Sequence, residues 1–88
     1  MVVVVVSRAW AQHGRTTFET DAGRLPDVLR QLADAEPEYR RRLLNSDGEP
    51  YGYLSIFVDA ESVPRNSRAE IEVADGSTVT IVPPLVGG

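Results

Sequence analysis

The sequence predicts an α+β domain in which a mixed sheet of four to five strands wraps one main helix, with a short second helix beside it. Three observations predict it. The chain opens on an unbroken β-branched run, Val2 to Val6. Leu25, Val28, Leu29 and Leu32 stand at i, i+3, i+4 and i+7, the spacing of one apolar helical stripe. After Asp75-Gly76, Val79 and Ile81 alternate with Thr78 and Thr80, the period of a strand with one face inward.

The valine run, apolar on both faces, reads as a central strand covered on both sides or at least flanked on both edges. Gln12-His13-Gly14 is a turn signal, and Arg15 to Thr20, with its threonines and Phe18, is expected to return as the second arm of a hairpin. Asp21-Ala22-Gly23 breaks that strand. The helix begins at Leu25 with Pro26 in its first turn, where a missing N–H removes no intrahelical bond. Pro37 ends it and opens the second helix, with Tyr39, Leu43 and Leu44 inward and Arg40-Arg41-Arg42 outward.

Residues 45–52 form a polar loop. Leu54, Ile56 and Val58 then face inward from a half-buried strand while Phe57 faces out. Asp59-Ala60-Glu61 reads as a turn into a short strand near Ser62-Val63, and Arg65 to Arg68 as loop. The final strand runs out at Pro83. With that strand beside the first, the order matches a β-grasp layout. Residues 1–88 are thus expected to form a single domain, with a flexible C-terminal tail over 83–88.

Bulk composition narrows the function classes. The 88 residues carry 13 acidic and 9 basic side chains, a net charge of -4, which argues against a nucleic-acid backbone as partner. All nine basic residues are arginine, so no lysine side chain is available for self-linked isopeptide chains. There is no cysteine, which removes disulfides, thiolate metal sites and a side-chain persulfide together. The Val2–Val6 run is too short for a signal peptide or a membrane span, leaving the cytoplasm as the expected compartment and no membrane partner.

The chemistry is concentrated at the end, Val82-Pro83-Pro84-Leu85-Val86-Gly87-Gly88. Two prolines favour an extended segment projecting from the last strand. Two glycines without Cβ atoms can thread a narrow channel and take whatever dihedral angles it demands. Such an end delivers the Gly88 carboxylate into another protein's active site. A carboxylate becomes an acyl donor once ATP converts it to an acyl-adenylate. Sulfide or persulfide attack would then leave a thiocarboxylate, with no general base or metal required of the carrier.

These residues resemble the MoaD/ThiS family of ubiquitin-like sulfur carriers, most sharply over "ADGSTVTIVPPLVGG", residues 74–88. The Pro-Pro-Leu-Val-Gly-Gly ending is similar to the small subunit of molybdopterin synthase. "YLSIFVDAESV", residues 53–63, is similar to CysO-type carriers of actinobacterial cysteine synthesis and to carriers of natural-product gene clusters. ThiS proteins tend to be shorter, and residues 37–52 argue mildly against that branch. The resemblance implies a β-grasp fold and a protein that is a sulfur-carrying co-substrate rather than an enzyme. It implies a MoeB/ThiF-like adenylating enzyme and a downstream sulfur-acceptor synthase as partners. No cofactor is bound by the carrier; ATP and the sulfur source are used by the partner. Gly88 would be the adenylated and thiocarboxylated residue, Gly87 would share the threading, and Pro83, Pro84, Leu85 and Val86 would form the contact segment.

Phe57, an exposed aromatic on a sheet, is either a docking point for the activating enzyme or a residue packed under the 45–52 loop. His13 reads as a solvated loop residue, Trp10 as packing at the core's edge, and Arg40-Arg41-Arg42 as a solvated helix face. Asp59 and Glu61 have no acid–base partner placed opposite them. Two other functions share the features above: a ubiquitin-like modifier conjugated through Gly88, and a non-catalytic β-grasp binding module.

Overall fold

A strand of consecutive valines must bury at least one face and pair both edges, and β1 (Val2–Val5) does so. In the computed structural model, which describes residues 1–10 and 15–84, β1 lies between β2 (Thr17–Thr20), antiparallel, and β7 (Thr78–Val82), parallel. The other elements between them are β3 (Gly23–Arg24), α1 (Leu25–Ala35), α2 (Pro37–Leu43), β4 (Ser55–Val58), β5 (Glu61–Ser62), a 3-10 helix (Arg65–Glu70) and β6 (Glu72–Val73). The main sheet has five strands in the order β2-β1-β7-β4-β5, and β3 and β6 pair as a separate two-stranded ladder. Parallel strands cannot be joined by a tight turn, so the chain between β1 and β7 is the crossover that carries both α-helices.

The inward stripe expected of the helix is the one observed: Leu25, Val28, Leu29, Leu32 and Ala33 of α1 are buried. They pack against Val2, Val4, Ile56, Val79 and Ile81 in one core. Pro37 forces Glu36 out of the helical region (φ -128°, ψ 83°) and so separates α1 from α2. Tyr39, Leu43 and Leu44 are buried while Arg40, Arg41 and Arg42 are exposed. Trp10 belongs to the core, 6.3 Å from the Tyr39 ring, which takes Phe18 edge-on at 5.4 Å. His13 and its turn lie outside the described residues.

Covering on both sides does not hold for β1. Val3 and Val5 are half-buried and share the outer face with Phe57, Thr78, Thr80 and Val82, none of which is buried. The valine run is explained by flanking on both edges: a β-branched residue suits a pleated surface whichever face it takes. Phe57 sits opposite Thr80 of β7 and Ser62 of β5, on that open face.

Residues 65–68 are helical rather than loop. Arg65–Glu70 forms 3-10 turns after Pro64, with the Ser67 amide donating to the Pro64 carbonyl at 2.9 Å. No apolar period announces this element, because the residue it buries is charged. Arg68 is 7% exposed and donates through Nη1 to the Tyr51 carbonyl at 3.0 Å and through Nη2 to the Leu54 carbonyl. Its guanidinium therefore bolts the 3-10 helix to the 51–54 turn.

The turn into β5 is a two-residue hairpin in which Asp59 (φ 50°) and Ala60 (φ 73°) both take left-handed backbone. Asp59 secures it by accepting from the Thr78 amide through Oδ1 at 2.9 Å, while its own amide donates to the Thr78 carbonyl at 2.9 Å. Ala60 has no such compensation. Ala60→Gly is expected to stabilise the fold by about 0.5–1 kcal/mol, read as a raised denaturation midpoint, because glycine takes that φ without the Cβ clash.

Candidate functional site: the root of the C-terminal tail

The end of β7 is where the predicted site residues meet the described structure. Val79 and Ile81 point into the core and anchor the strand. Val82 is 41% exposed on the outer face, Pro83 is half-buried and Pro84 is exposed. The Asp75-Gly76 turn that launches the strand is in place: Gly76 has φ 91°, and the Ser77 amide donates to the Ala74 carbonyl at 3.1 Å. Leu85, Val86, Gly87 and Gly88 lie outside the described residues.

Pro83 and Pro84 line a shallow cleft of about 400 Å³ with Trp10, Tyr53, Arg41 and Arg42. Tyr53 is exposed and stacks on Tyr51 at 5.0 Å with the planes 13° apart. Of the three consecutive arginines, Arg40 is occupied by Asp34 at 3.0 Å. Arg41 and Arg42 form no ion pair among the described residues. Sequence reading placed the arginines correctly on an exposed helix face but gave them and Tyr53 no link to the tail. No spacing could have shown it, since the lining comes from the 7–10 turn, α2, the 50–54 turn and the tail itself.

Phe57 stands apart from this cleft but not far along the same strand pair. It is paired with Thr80, two residues before Val82 on the same open face. The structure thus gives the tail two flanks, a half-apolar sheet face on one and a basic, aromatic cleft on the other. Among the described residues no group of three or more His, Cys, Asp or Glu side chains could hold a metal ion, and no helix is long and apolar enough to cross a membrane.

Comparison with known proteins places this geometry. The model of the ThiS family matches residues 3–88. The chain belongs to the ThiS family. A relative from Archaeoglobus fulgidus, named "Putative sulfur carrier protein", is 33% identical over 73 residues, covering 81% of this chain and 83% of the relative. Among solved structures, a chain of the Amycolatopsis orientalis BexX/CysO complex superposes with a TM-score of 0.81 at 23% identity, covering all of both chains. SAMP1 of Haloferax volcanii, a small archaeal modifier protein, superposes with a TM-score of 0.78 at 21% identity, over 99% of this chain and 98% of that one. These likenesses fix the fold of this ThiS-family chain as the ubiquitin-like β-grasp. It is a small domain of a sulfur-carrier family, as the sequence resemblance implied.

Proposed function

We propose that this protein carries sulfur as a thiocarboxylate on Gly88, formed by a partner enzyme and spent in biosynthesis. In the first step a carboxylate oxygen of Gly88 attacks the α-phosphorus of ATP and pyrophosphate leaves, giving an acyl-adenylate. In the second, a sulfide or persulfide sulfur attacks the acyl carbon and AMP departs with the C–O bond electrons. When the sulfur arrives as a persulfide, a reducing thiol must cleave the S–S bond to free the thiocarboxylate. Membership of the ThiS family carries this reading. The cysteine-free composition supports it, leaving a backbone carboxylate as the place for sulfur.

Partners are a MoeB/ThiF-like adenylating enzyme and a sulfur-acceptor synthase of molybdopterin, cysteine or natural-product assembly. That a neighbour in fold is found in complex with BexX fits a carrier that docks on a partner protein. The alternative, conjugation to target proteins through Gly88, has support in the likeness to SAMP1. Intact-mass analysis after incubation with an adenylating enzyme, ATP and sulfide separates the two. A gain equal to one oxygen-to-sulfur exchange at the C-terminus is expected. Adducts to target proteins without that exchange would instead establish the modifier.

Phe57 contributes to docking on this reading. It is half-buried on the open sheet face, between Thr80 of β7 and Ser62 of the edge strand β5. Phe57→Ser should raise the KM for the carrier in adenylation about tenfold or more, with kcat unchanged and the denaturation midpoint little altered. An unchanged KM would assign Phe57 to packing alone.

A further inference from the structure

A second cleft, of about 490 Å³, lies between α1, the 45–52 loop and the 3-10 helix, and shares no lining residue with the one at the tail root. Its charged walls are three arginines, Arg30, Arg65 and Arg68, against one carboxylate, Glu49. This is a local excess of positive charge in a chain of net charge -4. Arg30 is shared with Asp27 at 3.4 Å, but Arg65 and Arg68 form no ion pair among the described residues. Arg68 is more than nine-tenths buried. Its two Nη groups are satisfied by backbone carbonyls, yet its Nε is buried without an acceptor. Burial, and then the adjacent positive charge of Arg65, pull the Arg68 pKa below that of an ordinary arginine.

The loop leaves room for the exposed Arg65 guanidinium. A Cβ on Gly52 would fall 2.7 Å from Arg65 Nε, 2.8 Å from Cζ and 3.0 Å from Nη2, so the absence of a side chain at 52 lets Arg65 lie against the backbone. Asn45, also in the lining, organises the loop: its Oδ1 accepts from the Asp47 amide at 2.8 Å and the Glu49 amide at 3.1 Å. An exposed guanidinium without a carboxylate partner among the described residues, over a second, buried one, concentrates the positive charge and planar donors that suit a tetrahedral oxyanion.

We propose that this cleft is a binding site for a phosphate-type oxyanion, held chiefly by Arg65 with Arg30 and seated over Arg68. The site is independent of the thiocarboxylate reading. Titration of the 15N-labelled protein with inorganic phosphate, at ionic strength held constant with sodium chloride, tests it. Saturable shifts of the Gly48 and Gly52 amides and the arginine Nε–H signals are expected, with a Kd on the order of 1 mM. Arg65→Gln should weaken binding by about tenfold or more. Gly52→Ala keeps every charge and only makes the flexible end of Arg65 shift, so it should weaken binding less than Arg65→Gln does. Sulfate and AMP distinguish the sources: equal affinity for phosphate and AMP means that the site reads the phosphate group alone, and tighter AMP means that a nucleotide is the natural occupant. Shifts that stay linear and match those of chloride overturn the proposal, as does an Arg65→Gln variant that binds as the parent does.

Discussion

A variant ending at Gly87 should form thiocarboxylate at least about 10²-fold more slowly than the parent, although it still ends in a glycine carboxylate and keeps an identical folded domain. The chemistry of the acyl group is unchanged in it; only reach is lost. One residue of extended chain spans about 3.3–3.6 Å. In-line attack on a phosphorus atom needs the oxygen near contact distance, and a misplacement of about 1 Å can cost on the order of 10²-fold. The expected loss is therefore at least about 10²-fold in adenylation rate, with the denaturation midpoint unchanged because the core ends at Ile81. Intact mass and pyrophosphate release measure the two steps separately. Thiocarboxylation of the shortened chain at the parental rate would falsify the assignment of Gly88.

Leu29→Ala should remove about 2–5 kcal/mol of stability, the range for a fully buried leucine whose site cannot collapse. Leu29 is 0% exposed at the centre of the α1 stripe. An ordinary domain has only about 5–15 kcal/mol in total, so much of the margin goes with one side chain. For a domain of this length the unfolding temperature should fall by roughly 10 °C or more. Arg41→Ala, on the exposed face of α2, is the control and should stay within about 0.5 kcal/mol. A Leu29→Ala loss below about 1 kcal/mol would mean that α1 does not seal the sheet.

What could be foreseen followed from periodicity. Leu25, Val28, Leu29 and Leu32 repeat at the helical period because one wall of the core is a helix. Val79 and Ile81 alternate because one wall is a sheet. Proline at 37 and glycine at 76 mark breaks whose cause is local and therefore visible in the letters. The 3-10 helix had no such signal, since Arg68 is buried by two carbonyls that arrive from the 51–54 turn. Strands β3 and β6, two residues each, are too short to show a period. The tail-root cleft draws Trp10, Arg41, Tyr53 and Pro83 from distant parts of the chain, and only the fold makes them neighbours. Gly88, proposed as the chemical residue, rests on the bare Gly-Gly ending and the family the chain resembles, and lies outside the described residues.

The placement of β7 also has a mechanical meaning. It is hydrogen-bonded along both edges, to β1 on one side and β4 on the other. A pull on the tail would load those two ladders in shear, so that many bonds bear the force at once and none can be peeled in sequence. Under the proposed function, force applied at the chain's end would therefore leave the register of β7 in place.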